Sequence, residues 1–270
     1  LITGISAHLA GKRAPYVILS IQTLSPQRSV GSILPEGTIH NSPTAIRIKR
    51  QKSMNKITAI VLAAGSGSRM KNKTKKQFME IKGKPVIWYS LFEFEKSRVD
   101  EIILVTGKED IDYCKKEIVE KYNLKKIKNV VAGGSERYES VYNGLKEVTG
   151  NIVLIHDGAR PLINNEIIER SIEGTIKSDA CVVGVPVKDT IKRADKEGYI
   201  IDTPNRSELW ITQTPQSFKT DLVKMAYKKM KEELEKGNTT LNITDDAMVV
   251  EEFTTNQVRF VQGDYKNIKV

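Results

Sequence analysis

Residues 57–70 read ITAIVLAAGSGSRM. An almost unbroken apolar run, 57–62, leads into small residues and two glycines, Gly65 and Gly67, and then into Arg69. A strand that is apolar on both faces belongs inside a parallel sheet covered by helices on both sides. In such sheets, ligands bind beyond the carboxyl ends of the strands. This stretch therefore predicts both an α/β fold and one wall of a site.

The same alternation continues downstream. Pro85 opens a helix with Ile87, Leu91 and Phe94 on one stripe. EIILVT (101–106) reads as a strand, 110–122 as a helix, KNVVA (128–132) as a strand and 137–148 as a helix. NIVLIHD (151–157) is the next strand, 167–176 a helix, and ACVVGVPV (180–187) a strand. Strands alternating with such helices give a Rossmann-like, mostly parallel sheet with helices on both faces. The loops beyond the strand ends, 63–76, 133–140 and 156–161, are the place to look for a site. Residues 188–208 contain Pro204 and lack a helical apolar stripe. They read as a projecting β-arm, and a hairpin of that length cannot bury itself alone.

Composition narrows the function classes. A chain of 270 residues can bury a sizeable core. No apolar run approaches the ~20 residues needed to span a bilayer, so the chain reads as soluble, with no membrane partner and a cytoplasmic location. Cys114 and Cys181 form neither a disulfide framework nor a metal-ligand spacing and read as reduced packing residues. Three histidines argue against a His-built metal centre. The net charge of +10 is concentrated in residues 1–53, where seven Lys/Arg face only Glu36. The rest is mildly basic, with dispersed lysines and no basic stripe interleaved with aromatics, which argues against nucleic acid as partner. Residues 1–53 show no sustained period of two or 3.6 and precede Met54, a natural start for a domain spanning 54–270. They read as a leader, disordered or non-native. An acid-poor organellar transit peptide is the alternative, and it would move the location to an organelle.

The glycine loop fits neither of two common phosphate-binding patterns. A dinucleotide fingerprint needs a third glycine where Met70 stands, and an acid near the end of the second strand, which here ends in Val105–Thr106. A P-loop needs Gly-Lys-Ser/Thr, but Gly67 is followed by Ser68-Arg69. What remains is Ala63-Ala64-Gly65-Ser66-Gly67-Ser68-Arg69, small enough for backbone N–H groups to close around phosphate oxygens. Arg69 and Lys76 follow as cations. On this loop alone, a plain glycine turn with surface bases remains open. GGSER (133–137) is a second glycine turn, opening a helix that carries Ser140. HDGARP (156–161) puts Asp157 at a strand end beside Gly158 and Arg160. An acid, several bases and two glycine loops on one rim suit a nucleotide with a divalent cation. No Ser-His or Cys-His nucleophile arrangement is present.

AAGSGSRM, KKQF, GGSERYESV, HDGARP, VPVKDTIKR, QTPQ, TDD and NIKV occur in an order and spacing that resembles the 2-C-methyl-D-erythritol 4-phosphate cytidylyltransferases, from about Ile57 to Val270. The resemblance implies transfer of CMP from CTP to 2-C-methyl-D-erythritol 4-phosphate. The products would be 4-diphosphocytidyl-2-C-methyl-D-erythritol and pyrophosphate, in non-mevalonate isoprenoid biosynthesis. It also implies Mg²⁺ or another divalent cation, and a homodimer. By the same resemblance Arg69 and Lys76 are catalytic, and Ala63, Ala64, Gly65 and Gly67 bind the nucleotide. Gly134, Ser135 and Ser140 line the cytosine and ribose pocket, with Arg137 shaping that loop. Asp157 and Gly158 lie near ribose, metal and acceptor hydroxyls, Asp157 adding to a metal held mainly by CTP phosphates. Thr214, Thr244 and Lys269 contact the acceptor. Thr190 and Arg206 sit on the arm, which crosses to a second subunit and serves its site. Members often have an acid where Ser135 stands, and they continue past NIKV with a threonine-rich turn and a terminal helix, so against that pattern this chain, ending at Val270, reads as missing the helix. Ribitol-5-phosphate cytidylyltransferases share most of these motifs and are the alternative. A catalytically silent nucleotide-binding protein is the rival from another class, separated by a CTP-turnover assay.

Overall fold

The computed structural model describes residues 55–65, 75–237 and 242–270. The leader 1–53, Gly67 and Arg69 lie outside the described residues. In chain order come β1 (Ile57–Ala63), a 3₁₀ turn at Lys76–Phe78, a small hairpin of β2 (Glu80–Ile81) and β3 (Lys84–Pro85), and α1 (Val86–Lys96). Then follow β4 (Glu101–Thr106), α2 (Ile111–Tyr113, continuing as a π-helix over Cys114–Glu120), β5 (Ile127–Ala132), α3 (Arg137–Glu147), β6 (Ile152–Asp157), α4 (Asn165–Ser178) and β7 (Ala180–Pro186). The chain continues with β8 (Arg193–Ala194), β9 (Ile200–Asp202), β10 (Trp210–Lys219), α5 (Thr220–Glu235), α6 (Asp246–Phe253) and β11 (Arg259–Gln262).

β1 sits inside a seven-stranded sheet of order β11-β7-β10-β6-β1-β4-β5. It pairs in parallel with β4 and β6, β4 pairs in parallel with β5, and β7 with β11. Only β10 runs antiparallel, between β6 and β7. The expectation of a mostly parallel Rossmann-like sheet is met. β1 explains the helices on both faces. Ile57, Ala59, Val61 and Ala63 face one core layer with Ile87, Leu91 and Phe94 of α1 and Ile167, Ile168 and Ile172 of α4. Ile60 faces the other, with Val141 and Leu145 of α3, Val223, Tyr227 and Met230 of α5, and Val249 and Val250 of α6. Side chains alternate across a strand, so a strand covered on both sides is apolar at most positions, and the buried Thr58 of β1 is satisfied by Glu101.

The helix boundaries follow local chemistry. α1 begins at Val86, with Pro85 as the residue just before it. α4 begins at Asn165, ahead of the apolar stripe, because the Asn164 side chain accepts the Ile167 N–H at 3.0 Å. It ends where Asp179 takes φ 62°, the left-handed C-terminal conformation. β10 has no apolar signature because its buried residues Gln213, Thr214, Gln216 and Ser217 are polar and satisfied by hydrogen bonds. Its pairing with β7 shifts register between Thr212 and Gln216, an irregularity next to the strand ends that carry the site. Within 188–208, β8 and β9 pair antiparallel, and Tyr199, Ile200 and Ile201 are strongly exposed. Among the described residues, no helix is long and apolar enough to cross a membrane.

Candidate active site

The loops after β1, β4, β5 and β6 surround a cleft of about 590 Å³. Ala63, Ala64, Gly65, Lys76, Gly134, Ser135, Arg137, Ser140, Asp157 and Lys269 line it. Gly158, Thr190, Arg206, Thr214 and Thr244 are not among the lining residues.

Two glycine loops are held in fixed positions. Gln77, almost fully buried, donates through Nε2 to the carbonyls of Ala63 (2.7 Å) and Gly65 (3.1 Å). This ties the first loop to the 3₁₀ turn that carries Lys76. In the second loop Gly133 donates its N–H to Thr106 O at 2.7 Å, and Gly134 donates to Ser140 Oγ at 3.1 Å. A Cβ on Gly133 would stand 2.4 Å from Ala64 Cβ, so the Gly133 backbone packs directly against the Ala64 methyl and only glycine fits. Glu139 closes the start of α3. Its Oε2 accepts from Ser135 N–H and Oγ, both at 2.7 Å, and from Glu136 N–H. Those hydrogen bonds, the Ser135 hydroxyl foremost, hold the Glu139 carboxyl below its ordinary value.

Charge alternates across the inner wall. Asp157, at the end of β6, accepts from Lys269 Nζ at 2.6 Å on Oδ2 and from Arg137 Nε at 3.3 Å on Oδ1. Burial acts to raise the Asp157 pKa, but Arg137 and Lys269 outweigh it and hold the carboxyl well below the usual carboxylate range. Arg137 in turn grips Asp246, giving Nη1–Oδ1 2.9 Å and Nη2–Oδ2 2.8 Å, and Tyr227 donates its hydroxyl to Asp246 Oδ1 at 2.6 Å. Lys76 Nζ donates to the Val270 carbonyl at 2.9 Å, so Lys76 and Lys269 meet at one rim from distant parts of the chain.

Behind Asp157 lies a neutral network. The Asp157 N–H donates to Thr214 Oγ1 at 3.1 Å, and Thr214 Oγ1 lies 3.0 Å from His156 Nδ1. His156 Nε2 lies 3.3 Å from Arg160 O. One tautomer satisfies every contact: the Thr214 hydroxyl donates to Nδ1, and Nε2–H donates to the carbonyl. Burial pushes the His156 pKa down to about 4, so the ring is neutral. Thr214 thus has its hydroxyl engaged behind the strand end, and Gly158 is buried with its N–H on Leu62 O at 2.8 Å. Arg160 spans to Asn267 O at 2.8 Å, tying the 156–161 loop to the segment that bears Lys269. Thr244 is exposed just before α6, and Thr190 and Arg206 are exposed on the hairpin, Arg206 Nη1 donating to Lys188 O at 2.7 Å.

The comparisons with known proteins decide the family. The family model described as IspD: 2-C-methyl-D-erythritol 4-phosphate cytidylyltransferase matches residues 57–270. The chain belongs to this family. It is 49% identical over 215 residues to the 2-C-methyl-D-erythritol 4-phosphate cytidylyltransferase of Lachnospira eligens, covering 79% of this chain and 92% of that protein. It is 49% identical over 216 residues to that of Clostridium botulinum, covering 79% and 93%. The crystal structure of 4-diphosphocytidyl-2C-methyl-D-erythritol synthase from Anaerococcus prevotii superposes with a TM-score of 0.71 at 34% identity, covering 82% of this chain and 92% of that one.

For this member of the cytidylyltransferase family, the donor set bears on the expected cation. Among the described residues, no group of three or more His, Cys, Asp or Glu is placed to hold a metal. Asp157 is the carboxylate at the cleft's base. Glu109, also on the lining, is bonded to Lys75, and Glu136, the third lining acid, is engaged as the cap of α3. One carboxylate beside bases and backbone loops fits a hard cation carried mostly by ligand phosphates and water, as Mg²⁺ is. The sequence reading assigned no role to Gln77, Asp246 or Tyr227. Gln77 and Asp246 lie within KKQF and TDD, so the signal was present, but their partners are far away in sequence. Tyr227 lies in no motif that the sequence singles out.

Proposed function

We propose that the chain transfers CMP from CTP to 2-C-methyl-D-erythritol 4-phosphate, releasing pyrophosphate and forming 4-diphosphocytidyl-2-C-methyl-D-erythritol for isoprenoid biosynthesis. The observation that carries this reading is one cleft that joins two rigid glycine loops to Lys76, Asp157, Arg137 and Lys269. The triphosphate lies along Ala63–Gly65, which line the cleft. Cytosine and ribose sit against Gly134, Ser135 and Ser140. The acceptor's phosphate oxygen attacks the α-phosphorus in line, the bond to the bridging oxygen breaks, and pyrophosphate leaves with that electron pair. No protein nucleophile is required. Negative charge grows on the five-coordinate phosphorus; Lys76, on the cleft's lining, meets it, and Arg69 is proposed from the sequence motif as the second cation. Lys269 guides the acceptor phosphate, while Asp157 orients hydroxyls and is the residue that would hold Mg²⁺ from the protein side. The cation supplies charge neutralisation on the triphosphate oxygens. Bringing two polyanions together in one orientation accounts for much of the rate.

Thr190 and Arg206, remote from this cleft's lining, fit a site shared across a two-fold dimer through the 188–208 arm. Thr244 and Thr214 complete the acceptor side, Thr214 by setting Asp157 and Thr244 from the start of α6. The catalytic domain is 54–270, with 1–53 dispensable. The cytoplasm is the proposed compartment, since both substrates are polyanions that bilayers exclude. The test is pyrophosphate release with CTP against methylerythritol 4-phosphate and ribitol 5-phosphate side by side. The reading expects methylerythritol phosphate to be favoured by ~10²-fold or more in kcat/KM. Preference for ribitol phosphate, or no turnover with either, overturns it.

A further inference from the structure

The row of charges on the cleft wall does not stop at the cleft. From Lys269 through Asp157 and Arg137 it runs to Asp246, a carboxylate with no solvent exposure at the first residue of α6. We propose that Asp246 is a positioning residue for the reaction: from behind the wall it aims Arg137, and Arg137 so aimed fixes Asp157 in the cleft. The proposal rests on the cytidylyltransferase reading for its kinetic half only.

The geometry is specific. A guanidinium presents its N–H groups in a planar fork. Both terminal nitrogens of Arg137 are taken by Asp246, at 2.9 and 2.8 Å, one to each carboxylate oxygen. With the fork committed, the Nε–H on the adjoining edge points to Asp157 Oδ1 at 3.3 Å. Asp246 itself has no freedom to turn. Its Oδ1 also accepts from Tyr227 at 2.6 Å, and its N–H donates to Gln216 Oε1 at 2.9 Å. Gln216 also accepts the Ala247 N–H and donates to Asp245, so the first turn of α6 is pinned to β10. The aim of Arg137 is thus set through Tyr227 and Gln216, neither of which lines the cleft.

Without the charge on Asp246, Arg137 keeps Asp157 as its carboxylate partner among the described residues. Arg137 would swing onto it in competition with Lys269, which holds Oδ2 at 2.6 Å. An amide at position 246 has the carboxylate's shape but turns an NH₂ toward the guanidinium, so it cannot accept on both atoms. A merely structural Asp246 would cost stability when changed but would act independently of Asp157. A positioning Asp246 would act through it.

The experiment is a double-mutant cycle on the full chain with Asp246→Asn, Asp157→Asn and the pair. Pyrophosphate release is read beside the solvent-exchange rate of the Arg137 Nε–H by NMR. Asp246→Asn should lower kcat/KM by ~10-fold or more, yet by less than ~3-fold further in the Asp157→Asn background, because contacting residues couple. The Nε–H should exchange ~10-fold faster in Asp246→Asn than in wild type. Tyr227→Phe keeps the fork but removes one donor from Asp246, and should show the same pattern at ~3-fold. If Asp246→Asn does not fold, the Tyr227→Phe and Asp157→Asn cycle carries the test. Losses that multiply fully, or an unchanged exchange rate, overturn the proposal. A wild type that shows no turnover overturns the cytidylyltransferase reading, and the exchange rates then decide the positioning claim by themselves.

Discussion

Gly133→Ala tests the idea that the cleft is walled by two loops in rigid contact. The added methyl would lie 2.4 Å from Ala64 Cβ and 2.6 Å from Ser140 Oγ, where ordinary contact begins near 3.4 Å. Ala64 Cβ is fixed to the backbone of the loop after β1, which Gln77 holds at two carbonyls. Gly133 cannot retreat easily, because its N–H is on Thr106 O at 2.7 Å. One side must move by about 1 Å, and overpacking of that kind costs ~1–3 kcal/mol. For a domain of this size the cost lowers Tm by ~3–10 °C. The same displacement spreads the nucleotide loops, and a misplacement of about 1 Å costs ~10²-fold in kcat/KM. Calorimetry and pyrophosphate release measure the two effects on one preparation. Ala64→Gly combined with Gly133→Ala removes the nearest clash and leaves only a hydroxyl that can rotate, so it should recover at least about half of the Tm loss. A single variant within about 1 °C and about twofold of wild type would refute the rigid contact, since overpacking of this size is felt in any close-packed interior.

Other outcomes follow from the same structure. Lys76→Met should depress kcat/KM by ~10²-fold with CTP affinity changing far less; equal losses would assign Lys76 to ground-state binding. Glu101, at the start of β4, accepts from Thr58 Oγ1 at 2.6 Å, Thr149 N–H at 3.1 Å and Lys56 Nζ at 2.8 Å. Burial acts to raise its pKa, but those partners bring it from 4.5 down to about 2. The stabilisation is therefore complete above 4.5 and is lost as pH falls toward 2. Glu101→Gln should cost ~1–3 kcal/mol at neutral pH, the gap closing in acid, and a gap independent of pH between 7 and 3 would contradict this. If the chain dimerises and each site draws on both subunits, the Arg206→Ala and Lys76→Ala variants should each be nearly inactive alone, and a random mixture should regain about one quarter of wild-type activity. No recovery despite subunit exchange would refute the shared site. Deleting residues 1–53 should leave turnover within about twofold; a large drop would show that the leader belongs to the fold.

The apolar runs of β1, β4, β6 and β7 were enough to place the parallel sheet, because a strand buried on both faces is apolar at most of its positions unless its polar side chains find partners. The strand ends, and hence the loops at 63–76, 133–140 and 156–161, came with it. β10 was not legible. Gln213, Thr214, Gln216 and Ser217 are buried polar residues whose partners lie on β6, α4, α6 and the 264–267 segment, and no local pattern marks a strand of that kind. The motifs located Lys76, Asp157 and Lys269, but Lys269 meets Asp157 across 112 positions of sequence, and Arg137 meets Asp246 across 109. A charged side chain's residue type says that it needs a partner. Which partner it takes depends on which strand ends and helix starts the closed sheet brings within 3 Å, and chain closure, not local sequence, decides that.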